Sequence, residues 1–539
     1  MTHPREVDAV IVGAGFAGMY QLHRLRELGF TTRVFEAGDG VGGTWYWNRY
    51  PGARCDVESM SYSYSFSPEL EQDWEWTEKY PAQPEILRYA EHVADRFDLG
   101  RDITFETRVT SAAYDEGRER WLVTTDTGET VDTQFLIMAT GCLSASKLPE
   151  VPGLDRFQGQ TFHTAHWPRG GVDFTGQRVA VIGTGSSGVQ SIPIIASQAA
   201  ELTVFQRTPA FSLAARNRPL EQSEIDQMKA RYRDWRAAQR ASGFGVPIEP
   251  ATKSALEVSE AERTAKYQGA WDGGTLTAII GGYTDILADR EANETAAEFV
   301  RQKIRERVTD PQVAETLSPR SYPIGTKRPC LDTNYYETYN QPHVHLVDLR
   351  KTPLVGLTET GVATSEDSYD LDAVVFATGF DAMTGALTAI DIRGRGAVAL
   401  KEKWSEGPRS YLGLCVTGFP NLFTITGPSS PSVLSNMIVS IEQHVEWVSD
   451  ALAHLRQNGL GTIEATAEAE DGWVAHVEEV GNATLYPQAD SWYMGSNVPG
   501  KPRVFMAYIG GVGPYRELCT EIAENGYRGF ALTPALTPA

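Results

Sequence analysis

What is scarce in this sequence narrows its function before any motif is read. Cysteine occurs five times, at Cys55, Cys142, Cys330, Cys415 and Cys519, always singly. With no CxxC and no other close pair, neither a disulfide framework, a redox dithiol nor a zinc site is indicated. The only close histidine pairs, His163/His166 and His343/His345, lack a third ligand candidate, so no metal is expected. Basic residues are outnumbered: 48 lysines and arginines face 70 aspartates and glutamates, a net charge of −22. A surface that acidic repels phosphate backbones and anionic lipid heads, which argues against nucleic acid and membrane as partners. No apolar run approaches the roughly 20 residues of a membrane helix. The opening MTHPREVD also lacks the basic-then-apolar pattern of a signal peptide. A cytoplasmic protein is expected. Its 539 residues, 41% apolar and 22% charged, have ordinary globular composition and length for three or four domain-sized units.

What is present is a repeat. VDAVIVGAGFAG, followed by TTRVFEAG, recurs 170 residues later as QRVAVIGTGSSG followed by ELTVFQRTP. Gly13, Gly15 and Gly18 map onto Gly183, Gly185 and Gly188. Each copy runs from a short apolar strand (Ala9–Val12; Val179–Ile182) through a GxGxxG turn into a helix. The glycines allow a tight turn, close approach of a pyrophosphate and close helix–strand packing. The helix N-terminus then offers its free N–H groups to the phosphates. Ala17 completes the first cradle, and Thr184, Ser186, Ser187 and Gln190 the second. The fold class expected is α/β, with two Rossmann-like dinucleotide-binding domains and a helical subdomain.

The ends of the second strands differ. Glu36 closes the first, where a carboxylate accepts from both hydroxyls of an unphosphorylated ribose. Neutral Gln206 closes the second, with Arg207 and Thr208 behind it; arginine beside a hydroxyl holds a 2′-phosphate that a carboxylate would repel. The first site therefore suits FAD and the second NADPH. Two more apolar runs, QFLIMATG (134–141) and DAVVFATG (372–379), bracket the second copy, which places one domain inside the other. The expected division is 1–142 and 381–539 for FAD and 143–380 for NADP, with a helical insertion at about 217–320. Within that insertion SEID (223–226) and SEAE (259–262) read as capping boxes, and Asp310-Pro311 as a cap followed by proline.

FAD with NADPH leaves few enzyme classes. A disulfide reductase needs a cysteine pair, and an aromatic hydroxylase of the one-Rossmann type lacks the second nucleotide domain. A monooxygenase remains. FQGQTFHTAHWP (157–168) and GGTWYWNRYPGARCD (42–56) carry a family resemblance. The first resembles the fingerprint FxGxxxHxxxW[PD] of Baeyer–Villiger monooxygenases at Phe157, Gly159, His163, Trp167 and Pro168. The second is similar to the family's GGxWxxxxYPGxxxD, ending at Asp56. Similarity extends over essentially the whole chain, through GTKRP, GPSSPSVLSNM and SWYMGSNVPGKP, and is greatest to the phenylacetone and steroid branch.

The resemblance implies a ketone oxidised to an ester or lactone with NADPH and O2 through a flavin C4a-peroxide. It gives Arg328 the role of a cation at the flavin and Asp56 that of its partner, and has His163 couple the two domains. Thr44, Trp45, Tyr46, Trp47, Asp56, Tyr62, Val109 and Met437 would line FAD. Arg207, Thr208 and Lys327 would surround the 2′-phosphate, with Arg54 and Arg328 also on the NADP side. Trp492 would bond the nicotinamide ribose. Ser432, Val433, Leu434 and Met437 would stand beside the flavin, facing Leu143 and Tyr493 across a hydrophobic pocket. The partners are then a small-molecule ketone and O2, with the chain a monomer or weak homo-oligomer. Two alternatives stand beside this reading: a flavin monooxygenase oxygenating nitrogen or sulfur, and a non-catalytic nucleotide-binding protein.

Overall fold

Short apolar runs, buried on both faces, build two sheets with parallel cores. The computed structural model describes residues 5–147 and 149–536. In the first sheet, Arg5–Val12 lies between Thr32–Phe35 and Thr130–Met138, parallel to both, with Val12 opposite Phe35 and Met138. In the second, Arg178–Ile182 lies between Glu201–Gln206 and Ala373–Phe376, again parallel, with Ile182 opposite Phe205 and Phe376. The sequence repeat is thus a repeat of strand neighbours. Val10, Ile11, Val179 and Val181 are wholly buried, as parallel strands covered on both faces require.

The two sheets draw on different parts of the chain. Val344–Asp348 and Gln160–His163 complete the second, so all its strands fall within 160–376. The first takes Ile103–Thr104, Val109–Asp115, Arg120–Thr125, Asp391–Arg393 and Leu422–Thr424 as well. The chain therefore crosses between sheets twice, and the crossings run side by side. Lys147 N–H donates to the Gly379 carbonyl (3.1 Å) and Asp381 N–H to that of Ala145 (2.9 Å).

Helices Gln222–Ala241, Glu260–Gly273, Arg290–Arg307 and Pro311–Leu317 form the insertion. Ser259 accepts from Glu262 N–H, and Asp310 caps a helix with Pro311 in its first turn. The expected box at Ser223–Asp226 is displaced: Glu221 is the cap, and Glu224 returns the bond to the Glu221 N–H. Arg218 grips both oxygens of Glu224 (2.6 and 2.5 Å), so the box starts where that carboxylate is held. Helix Phe16–Glu27 packs against the long helix Met437–Gln457, forming the largest core. Among the described residues, no helix is long and apolar enough to cross a membrane.

Candidate active site

Both glycine turns have the geometry a pyrophosphate needs. Gly13 has φ +102° and Gly183 φ +111°; a Cβ on either would lie 2.6 or 2.5 Å from the carbonyl oxygen of Ala139 or Ala377. Those alanines begin the two Ala-Thr-Gly segments, so each turn is pressed against its neighbouring strand end. Gly18 and Gly188 admit equally close packing, since a Cβ there would strike the carbonyls of Gly13 and Gly183. Gly15 faces Gly43, just ahead of the short helix Thr44–Trp47, at a distance that leaves room for no side chain on Gly43. Buried Glu36 accepts from Ala14 N–H and Gly38 N–H, both at 2.8 Å. Each oxygen keeps a lone pair for a ribose hydroxyl. These residues fit an unphosphorylated adenosine ribose and its pyrophosphate.

The second turn fits a different nucleotide. Gln206 directs its amide to the Thr316 carbonyl (2.8 Å), and the Thr184 hydroxyl donates to the Thr208 carbonyl (3.0 Å). Gly185, Ser186 and Ser187 leave the N-terminus of helix Ser186–Ala196 open. Arg207 is exposed, and neither it nor Lys327 forms an ion pair among the described residues. Burial first, then the neighbouring Arg207 charge, pushes the Lys327 ammonium below its usual pKa. Two neighbouring cations, neither ion-paired among the described residues and with Asp490 the carboxylate that acts on Lys327, suit a doubly charged anion.

Arg328 grips Asp56. Its Nε donates to one carboxylate oxygen (2.6 Å), Nη2 to the other (2.9 Å), and Nη1 to the Val433 carbonyl (2.8 Å). The side chains are 26% and 23% exposed, and that exposure faces a cavity of about 260 Å³. Burial opposes the charge on Arg328, but attraction to Asp56, its hydrogen bonds and the Tyr493 phenol outweigh this, and the pKa is driven well above that of a free guanidinium. Tyr493, desolvated by burial and only partly relieved by Arg328, is pushed up to about 12. Arg328 is therefore a cation at every working pH, held by three bonds.

Val433, Leu434 and Tyr493 line this cavity, together with Asp56 and Arg328. Leu143, Ser432 and Met437 do not. Leu143 and Met437 pack half-buried against the core of the first sheet. Ser432 is wholly buried because successive residues of the turn Ser432–Leu434 point in different directions. Its hydroxyl has no partner among the described residues. Sequence reasoning missed the opposite wall: Phe244, Val246, Pro247, Ile248 and Ile280 all come from the helical insertion. Its signal was the apolar side chains of GFGVPI (243–248), a segment that also carries two glycines and a proline. Also missed was Ser61, whose hydroxyl accepts from Trp235 Nε1 (3.0 Å) and whose carbonyl accepts from Asn436 (2.7 Å), fixing that wall to the first sheet's side. Glu58 reaches the cavity too, 3.4 Å from Lys79.

The remaining motif residues do not line this cavity. Phe157 and Trp167 are core side chains, and a Cβ on Gly159 would meet the Phe157 ring and the Asp372 carbonyl. His163 Nδ1 accepts from Ala165 N–H (3.1 Å), so Nε2 carries the proton and faces Lys147 O and Thr378 Oγ1, both at 3.1 Å. Burial foremost, then His166, lowers its pKa. One neutral imidazole thus touches both crossings. Trp45 Nε1 donates to the Tyr62 hydroxyl (3.0 Å); Tyr46 is buried, Trp47 and Thr44 are exposed, and Val109 lies in the core of the first sheet. Arg54 spends its guanidinium on Glu78 and the Tyr80 carbonyl, while its own carbonyl accepts from Gln190 (3.0 Å). Trp492 packs on Tyr493, ring centroids 4.1 Å apart.

Residues 10–234 match the family model described as pyridine nucleotide-disulphide oxidoreductase. The five cysteines are buried and free, so the match reflects the dinucleotide turns and not disulfide chemistry. The chain is 44% identical over 531 residues to acetone monooxygenase (methyl acetate-forming) of Gordonia sp. (strain TY-5), covering 98% of this chain and 99% of that one. A Baeyer–Villiger monooxygenase of Pseudooceanicola batsensis is 42% identical, with 97% and 95% covered. Among solved structures, oxidized steroid monooxygenase bound to NADP superimposes with a TM-score of 0.94 at 56% identity, over 98% of this chain and 99% of that one. Identity of this order over the full length shows that the chain belongs to the Baeyer–Villiger monooxygenases, FAD- and NADP-dependent oxidoreductases.

Proposed function

We propose that the cavity beside Arg328 takes an apolar ketone and that one oxygen atom is inserted next to its carbonyl, giving an ester or lactone. Bound FAD, once reduced by NADPH, supplies the activated dioxygen. Arg328 carries the reading: a guanidinium that cannot lose its proton, fixed at the wall of an apolar cavity, stabilises negative charge developing on the carbonyl oxygen under attack. Asp56 orients it and offsets its charge. The apolar lining from Val433, Leu434, Phe244 and Ile280 excludes water from that charge.

The cofactor residues take their roles from the same argument. Residues 1–142 and 381–539 hold FAD, with Glu36 on the ribose and Thr44–Trp47, Tyr62, Val109 and Met437 around the remainder. Residues 143–380, with the insertion at about 217–320, hold NADPH, with Arg207, Thr208 and Lys327 on the 2′-phosphate and Trp492 on the nicotinamide ribose. His163 holds the crossings that join the two. The test is to incubate purified holoenzyme with NADPH, O2 and a panel of cyclic, aryl and steroid side-chain ketones. Ester or lactone formed in proportion to NADPH is the expected result; hydrogen peroxide as the sole product across the panel defeats the proposal.

Val433 and Leu434 set substrate choice. Enlarging the cavity with Val433→Ala or Leu434→Ala removes a few methyl groups of contact, each about 0.8 kcal/mol. Preference between a bulky and a small ketone should then shift about 10–200-fold. Equal kcat/KM ratios in parent and variants would remove both residues from the substrate wall.

A further inference from the structure

Residues 491–506 form a loop that closes on itself: Met506 N–H donates to the Tyr493 carbonyl (2.9 Å) and Ser496 N–H to that of Ser491 (3.1 Å). At its base are Trp492 and Tyr493, the latter on the cavity wall. Its tip holds both crossings between the sheets. Asn497 Nδ2 donates to the Phe380 carbonyl (2.7 Å), and Lys147 Nζ donates to the Asn497 carbonyl. Lys501 Nζ donates to Asp381 Oδ1 (2.6 Å) and to the Ala382 carbonyl (2.7 Å), with its side chain only 9% exposed.

A buried ammonium is costly unless paired and hydrogen-bonded, and the loop's own closure does not call for one. Such pairs add little net stability compared with apolar residues of equal volume, and are best attested as devices that fix one arrangement among several. The lysine's partners lie on the returning crossing, while His163 binds the carbonyl of Lys147 on the outgoing one. The loop is thus tied at one end to the joint between the sheets and at the other to the cavity.

We propose that Lys501 and Asp381 are positioning residues: by fixing the loop tip to the returning crossing, they hold Trp492 and Tyr493 in place over bound NADP+ and beside Arg328. This rests on the assignment of Trp492 to the nicotinamide ribose. Neither residue touches the reacting atoms, so their removal acts on nucleotide retention and on the fate of reducing equivalents, not on the ability of NADPH to reduce flavin.

The experiment uses the FAD-loaded full chain, as parent, Lys501→Met, Lys501→Arg and Asp381→Asn. Calorimetry gives NADP+ affinity, thermal melting with and without NADP+ separates binding from folding, and product analysis divides NADPH consumed between ester and hydrogen peroxide. Lys501→Met and Asp381→Asn are expected to weaken NADP+ binding about tenfold. The peroxide share should rise, with melting without NADP+ little changed. Lys501→Arg, which keeps the charge, should recover much of the affinity. Unchanged affinity and product partition in Lys501→Met overturn the proposal. So does a loss of melting temperature as large without NADP+ as with it, which marks a purely structural pair. A parent chain that binds no NADP+ overturns the assignment of this face to the nucleotide, and the role of Lys501 with it.

Discussion

Arg328→Ala should still let NADPH bleach the bound flavin under anaerobic conditions, yet yield no measurable ester when oxygen and ketone are added. Hydride delivery depends on the nucleotide sites, which Arg328 joins only at their meeting point, whereas charge on the carbonyl oxygen develops beside the guanidinium. Losing one fixed donor at an oxyanion lowers turnover about 10²–10³-fold, and here the donor is also a full charge whose pKa stands well above the ordinary range. The loss should therefore reach at least the upper end of that range, with NADPH consumption diverted to hydrogen peroxide. Truncation also strands Asp56 without its partner, which is costly in itself. The double variant Arg328→Ala/Asp56→Ala separates the two effects. If the missing cation is responsible, ester formation stays absent in the double variant. If the stranded carboxylate is responsible, it returns. Arg328→Lys should fall between, because an ammonium cannot make the paired Nε and Nη2 bonds to Asp56. Normal ester yield from Arg328→Ala would refute the assignment.

The parts of this site that were legible in the sequence are those whose physics is local. The strand–turn–helix units around Gly13 and Gly183 need only neighbouring residues, and the Glu36/Gln206 contrast lies at the end of one short strand. Arg328 and Asp56 are 272 positions apart, and no local pattern joins them; only the resemblance of GTKRP and YPGARCD to a known family did so. Phe244–Ile248 had no helical or strand period to reveal a buried face, since that wall is an irregular segment held by side chains and backbone of other elements. Asn436 N–H, for instance, donates to the Phe244 carbonyl (2.8 Å). The displaced helix cap at Glu221 has the same origin: Ser223 offered the familiar residue type, but Arg218 decided which carboxylate was fixed. Ser432, wholly buried beside Val433 on the cavity wall, shows that position alone does not give direction, because a turn of three residues sends neighbouring side chains to different sides.

Selection of NADPH over NADH should collapse when the two free cations at the second turn are removed. The 2′-phosphate carries close to two negative charges near neutral pH and about one below its second pKa of roughly 6. A hydrogen bond between charged groups contributes about 1.5–3 kcal/mol, so Arg207→Ala alone should raise the KM for NADPH about 10–100-fold while leaving NADH nearly untouched. That single loss is cushioned. Lys327, whose pKa is lowered by burial and then by Arg207, loses the repulsion of that neighbour when Arg207 is removed and keeps part of the phosphate contact. Arg207→Ala/Lys327→Ala has no such recourse and should bring NADPH and NADH close to parity, with the two substitutions costing more together than the sum of their separate effects. Acid pH supplies an independent check on the parent enzyme. Lowering pH through about 6 protonates the phosphate once, so the ratio of kcat/KM for NADPH to that for NADH should fall with pH in the parent and stay flat in the double variant. Equal losses for NADPH and NADH in Arg207→Ala would mean that this arginine meets a part of the nucleotide common to both.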